Sequence, residues 1–159
     1  MIFALDPDVI MSGTGIQTVV LHWYQPYLTF NCTDRSPNDW EDTLLTPDSN
    51  STGLVAPYIA PQPPPYSHHR YVFLLFEQPD RYEFPECFAH IAPKSVEARV
   101  GFDLRQFMLV ARLDPPIAVN YFYGRNQAPG HTDPLPSSAS ITTTSFRSLT
   151  CVNRPTCSR

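Results

Sequence analysis

The alternation of apolar and polar positions predicts a small set of elements along the chain. Thr18-Val19-Val20-Leu21-His22-Trp23-Tyr24 passes from β-branched to aromatic residues and reads as a largely buried strand. Tyr71-Val72-Phe73-Leu74-Leu75-Phe76 is the most continuous apolar run, which predicts a central strand buried on both faces. In Phe102–Leu113 the apolar residues recur at 104, 107, 108 and 111, a helical spacing. Asp103 can cap that helix and Asp114-Pro115-Pro116 ends it. Ile117–Tyr123 is a last strand. Ile2-Phe3-Ala4-Leu5 reads as the end of a strand stopped by Asp6-Pro7-Asp8, and residues 11–16 read as a turn. Residues 31–56 are rich in Asn, Asp, Ser, Thr and Pro and read as a long surface loop. The region from Pro79 to Pro93 reads as irregular.

Composition sharpens this into a mainly β expectation. The 159 residues include 18 prolines against 6 glycines, and proline interrupts helices and ends strands. Four of the five residues at 61–65 are proline. Each fixes its own φ and restrains its predecessor, so this segment must be extended and rigid. From Gly124 onward the chain is Pro/Ser/Thr-rich with few apolar residues. The expected organisation is one domain over residues 1–123 and a disordered tail over 124–159.

The formal charge of −4 gives no reason to propose a nucleic-acid partner. No stretch approaches the roughly 18–20 apolar residues of a transmembrane span. Met1–Asp6 has no basic n-region and no long apolar run, so the chain as written reads as cytoplasmic, whereas a signal peptide upstream would make it secreted. The four cysteines, Cys32, Cys87, Cys151 and Cys157, form no C-x-x-C pair and no zinc spacing with histidine. Asn31-Cys32-Thr33 and Asn50-Ser51-Thr52 are glycosylation sequons at Asn31 and Asn50.

The candidate chemistry lies where titratable residues enter apolar runs. Asp6, His22, His69 and Tyr71 each sit at a strand end or beside a core run, where a polar group without a partner is costly. A carboxylate beside an imidazole stabilises the imidazolium. The imidazolium and a tyrosine hydroxyl can then donate hydrogen bonds to phosphate or carboxylate oxygens. Such a pocket is expected to hold small anions better below about pH 6.5, the reference histidine value. Because neighbours in an extended chain point to opposite faces, His69 and Tyr71 can share the pocket side while His68 and Arg70 face elsewhere. His22, His69 and a carboxylate could instead bind a metal, though nothing in the spacing requires one. Cys87 with His90 could form a nucleophile and base, but no supporting pattern surrounds them. There is no hydrolase elbow, Gly-rich phosphate loop or dinucleotide fingerprint, so no cofactor is expected.

The order of these motifs resembles the phosphatidylethanolamine-binding protein family. The resemblance rests on Asp6-Pro7-Asp8, Leu21-His22-Trp23 and the proline-rich segment leading to His69-Arg70-Tyr71-Val72-Phe73-Leu74-Leu75-Phe76-Glu77-Gln78. Arg99-Val100-Gly101-Phe102 and Pro116–Phe122 extend it to roughly residues 2–123. Phe84-Pro85-Glu86-Cys87-Phe88 is most similar to fungal members. The resemblance implies a large antiparallel sheet packed on a smaller one, with one or two short helices. It also implies an anion pocket formed by Asp6, His22, His69 and Tyr71, with Asp8, Trp23, Pro61 and Arg70 in support. Two positions depart from the family pattern: Ile10 stands where a proline is usual after the D-P-D motif, and Ala60 stands where a glycine is usual before the proline-rich wall. The family also carries several strands ahead of that motif, so the sheet is expected to be N-terminally incomplete.

The resemblance implies three kinds of role. The first is a non-enzymatic binding protein for a phosphate- or carboxylate-bearing ligand, such as a phospholipid head group, a dicarboxylate or its anhydride. The second is an accessory part in fungal secondary metabolism, assisting a separate cyclase in the dimerisation of anhydride polyketide monomers (maleidrides). The third is a protein-partner role, as a serine carboxypeptidase inhibitor or signalling regulator.

Overall fold

A computed structural model describes residues 1–30, 45–49 and 53–127. Asn31, Asn50, Cys32, Cys151, Cys157 and residues 128–159 of the expected tail lie outside the described residues. The elements are β1 (Ile2–Ile10), β2 (Gln17–Gln25), β3 (Leu28–Phe30), β4 (Leu45–Pro47), β5 (His68–Leu75), α1 (Leu104–Ala111) and β6 (Ala118–Arg125). Two 3-10 helices, Glu86–Ile91 and Glu97–Arg99, precede α1. Four strands form an antiparallel sheet in the order β2-β1-β5-β6, and β3 pairs with β4 in a separate two-stranded sheet. The chain is thus mainly β, as expected.

β1 does not stop at Asp6-Pro7-Asp8. It bulges there: Asp6 pairs with Val20 and Val9 with Thr18, so three steps on β1 oppose two on β2. A bulge is where a strand tolerates a proline that cannot donate to the ladder. A second bulge lies in β2. Ala4 pairs with Trp23 and Leu5 with Leu21, which leaves His22 as the extra residue. Leu21 and Tyr24 are three apart, yet both are fully buried in the core. This is possible only because the bulge absorbs one residue between them.

The core lies on one face of the sheet. Phe3 sits at its centre, with ring centroids 4.9 Å from Tyr24, 5.1 Å from Phe107 and 5.4 Å from Phe76. α1 supplies Phe107 and Ala111, and its entry is capped by the Asp103 carboxylate accepting from the Gln106 amide at 3.0 Å. Its exit comes earlier than Asp114: Arg112 turns left-handed at φ 54°, which folds Leu113 back onto the core.

Four further expectations need correction. β5 is not buried on both faces: Leu74 and Phe76 join the core, but Val72, Phe73, Leu74 and Leu75 are only half-buried. On the other side of the sheet Phe73 stacks on Phe122, itself exposed at the edge strand. Residues 45–47 form a strand within the stretch read as loop. Ala56, in the same stretch, bridges to Tyr24 by two backbone hydrogen bonds of 3.0 and 3.1 Å. Residues 86–91 form a 3-10 helix rather than irregular chain, because it buries Phe88 and Ile91. β6 continues through Gly124 and Arg125, which pair with His69 and His68.

Candidate functional site

The end of the sheet face opposite the core carries a cavity of about 170 Å³ whose polar lining is Asp6, His22, His69, Tyr71 and Gln62. Each side chain arrives there for a local reason. Asp6 is the last regular residue of β1 before its bulge, and the bulge returns the Asp8 amide to the Asp6 Oδ1 at 2.9 Å. His69 and Tyr71 alternate along β5 and share a face. His22 reaches that face because it is the bulged residue of β2, a common use of bulges beside functional sites.

The polar groups are ordered by hydrogen bonds. His69 donates from Nδ1 to Asp6 Oδ2 at 2.7 Å, with both side chains buried. His22 donates from Nδ1 to the Ile59 carbonyl at 2.8 Å, and the Ile59 amide returns a bond to the His22 carbonyl at 2.9 Å. With both Nδ1 atoms committed, Nε2 is the remaining ring nitrogen of each histidine. The Tyr71 ring stands edge-on to His22, at 5.1 Å and 90°. Burial pushes the Tyr71 phenol well above its ordinary value. The Asp6 charge and a hydrogen bond with Asp6 push it further, against an opposing bond from the Gln62 backbone. The hydroxyl therefore keeps its proton, which the Asp6 carboxylate accepts. A carboxylate, two oriented imidazoles and a phenol surround the small cavity; protonated imidazoles would each add an Nε2–H donor suited to an oxyanion.

The supporting residues are placed unevenly. Asp8 and Arg70 lie on the other side of β5, beside a shallow depression that also involves His68 and Tyr123. The Asp8 carboxylate accepts from Arg70 Nη2 at 2.6 Å, from Nε at 2.8 Å and from the Arg70 backbone amide at 2.8 Å. It thus completes the ladder where β1 leaves β5. Burial tends to raise Asp8, but these Arg70 hydrogen bonds, its charge and that of His69 hold it below the ordinary carboxylate value. Trp23 turns to Tyr58, with ring centroids 6.3 Å apart, and Pro61 is half-buried in the wall; neither lines the cavity. The wall contacts come from Ala60, Gln62 and Pro64 instead. Cys87 is disulfide-bonded, and the His90 ring stacks on Phe88 with Nδ1 3.3 Å from the Cys87 backbone carbonyl, so the nucleophile-and-base reading falls away. Among the described residues no group of three His, Cys, Asp or Glu is placed to hold a metal ion, and no helix is long and apolar enough to cross a membrane.

Two residues outside the predicted set shape the site. Arg99 is fully buried and ties three segments by their carbonyls: Ile91 at 2.8 Å, Pro57 at 2.6 Å and His22 at 3.4 Å. It braces the bulge and the start of the wall together. Gly124, opposite His69 in the register, leaves room for the Tyr71 ring; a Cβ there would stand 2.5 Å from Tyr71 Cε2. No periodicity signals either role. Arg99 looks like any surface cation in sequence, and Gly124 becomes meaningful only once β6 is laid beside β5.

The fold and this constellation define a class. The model of the phosphatidylethanolamine-binding protein family matches residues 1–122, and the chain belongs to that family. It is 41% identical over 122 residues to a protein of Talaromyces stipitatus called phomoidride biosynthesis cluster protein N. That alignment covers 77% of this chain and 57% of the relative. It is 38% identical over 120 residues to a protein of the same name from another fungus, covering 76% of this chain and 50% of the relative. The chain therefore spans about half the length of these relatives. No solved structure matches it.

Proposed function

We propose that the protein is a non-enzymatic binding protein whose cavity holds a phosphate- or carboxylate-bearing small molecule. The observation that carries this reading is the pairing of Asp6 with His69 Nδ1 beside His22 and Tyr71. These four side chains line one cavity of about 170 Å³, a size suited to a head group rather than to a whole drug-sized ligand, and imidazolium Nε2–H groups would be the donors to an anion there. Calorimetry with inorganic phosphate and with maleate tests it. The unmodified protein is expected to bind at least one of them, and His69→Ala to lose that binding. Equal binding by the variant removes His69 from the site.

A second reading concerns context. The names of the two relatives, phomoidride biosynthesis cluster protein N, favour an accessory role in fungal secondary metabolism. In that role the protein presents a dicarboxylate or anhydride monomer to a separate cyclase that dimerises it. Deleting the gene in its host is then expected to stop a dimeric product while its monomers accumulate; unchanged product titres reject this role.

A further inference from the structure

The two edges of the four-stranded sheet are finished differently. On β2 the outer backbone groups are taken up by other segments. Tyr24 and Ala56 exchange two bonds, the Ile59 amide donates to the His22 carbonyl at 2.9 Å, and the Gly101 and Phe102 amides donate to the Val19 carbonyl at 2.8 and 3.2 Å. β6 is the other edge, and among the described residues it pairs with β5 alone, in one register without a bulge. Asn126 continues that ladder by donating to the Ser67 carbonyl at 3.1 Å, and alternation from it turns the amides of Tyr123, Tyr121 and Val119 away from β5. The Tyr121 amide is held by the neighbouring Asn120 Oδ1 at 2.8 Å. Edge strands are usually guarded by charge, proline or a bulge. Residues 115–124 carry no charge, and β6 contains no proline. Its apolar side chains are open: Val119 is 57% exposed and Ile117, just ahead of it, 63%, with Tyr121 and Phe122 also exposed.

Independently of the cavity, we infer that β6 is an interface strand. It pairs antiparallel with β6 of a second copy about a twofold axis at Asn120, joining the two sheets into one. A twofold antiparallel pair keeps each side chain on its own sheet face, so a residue rather than a peptide bond lies on the axis. With Asn120 there, the outward amides of Val119 and Tyr121 meet those of Tyr121 and Val119 in the second copy. Val119 then faces Tyr121 and Ile117 faces Tyr123, aliphatic–aromatic cross-strand pairs made twice over. The same register brings Arg125 alongside residues 114–115 of the second copy, and so beside its Asp114. Neither Arg125 nor Asp114 has an ion pair among the described residues, and Arg125 Nη2 is buried without a hydrogen-bond partner. An axis at Tyr121 would instead set Arg125 against Ile117, away from any carboxylate. An uncharged strand with a complementary charge at each end suits a copy of itself, because the net charge of −4 on each chain is kept off the contact. As the partner strand arrives, the Asn120 side chain gives up the Tyr121 amide to it.

The test is sedimentation velocity of the full chain at increasing concentration. A monomer–dimer equilibrium with no larger species is expected, and hydrogen exchange at the Val119 and Tyr123 amides should slow as the dimer forms. Val119→Lys puts a charge at an exposed position and should weaken the dimer about tenfold, with the circular dichroism spectrum unchanged. Arg125→Asp should also weaken it, and adding Asp114→Arg should restore it by exchanging the two charges. A dimer that survives Val119→Lys lies on another surface and overturns the strand pairing. Failure of the charge exchange to restore the dimer overturns the Asn120-centred register. A monomer at every concentration overturns the interface; if its Val119 and Tyr123 amides are nevertheless protected, the strand is covered by another part of the same chain. Association that continues beyond two copies overturns the closed twofold.

Discussion

The two sides of β5 carry the same kinds of side chain and use them differently. On one side His69 and Tyr71 are buried against Asp6 and His22; on the other His68 and Arg70 are exposed beside Asp8. Both sides contain a carboxylate bonded to a cation or potential cation, at 2.7 Å and 2.6 Å. Burial separates them. A desolvated carboxylate without its partner is costly, whereas an exposed ion pair contributes little and is weakened by salt. Alternate residues of one strand are thus divided: the outer pair closes the ladder, and the inner pair lines the cavity.

The largest expected break in this contrast comes from Asp6→Ala. It leaves the His69 Nδ1–H and the Asp8 amide without their acceptor, at a cost of about 2–4 kcal/mol. Urea denaturation checks the stability loss, and loss of anion binding should accompany it; a variant as stable as the parent would mean that Asp6 is not the buried anchor. Gly124→Ala comes next. The added methyl must displace the buried Tyr71 ring, for about 1–3 kcal/mol. The Tyr71 ring resonances should shift in the NMR spectrum, and an unchanged spectrum would deny the close approach.

Asp8→Asn acts on the exposed side and should cost less than about 1 kcal/mol, since Arg70 is 45% exposed. Asp8 lies below its ordinary value of 3.8 when folded, so its contribution is present above that pH and is lost as the pH falls through its folded value. The stability gap between parent and Asp8→Asn should therefore begin to narrow as the pH falls below about 3.8; a gap independent of pH across that range would mean the carboxylate charge is not its cause. The smallest effect is expected for His68→Ala. Its ring is exposed and touches only Tyr123 among the described aromatic contacts, so stability should stay within about 0.5 kcal/mol and anion binding should be unaltered. A large binding loss there would erase the distinction between the two sides.

Local patterns in the sequence determined the strands at 18–24 and 71–76, the helix with its Asp103 cap, and the choice of Asp6, His22, His69 and Tyr71. Period, capping and the cost of burying a polar group are all written in neighbouring residues. Alternation alone also separated His69 and Tyr71 from His68 and Arg70. What tertiary structure decided was everything that depends on a partner strand. Asp6-Pro7-Asp8 reads locally as a stop, but pairing with β2 converts it into a bulge that keeps β1 running to Ile10. His22 would share a face with Tyr24 in a regular strand; the opposing bulge lets Tyr24 enter the core and turns His22 to the cavity. Arg99 and Gly124 acquire their roles from the carbonyls and the ring they meet across distant elements. Side-chain chemistry is local, whereas register is a relation between strands, and here register brings the chosen residues to one cavity.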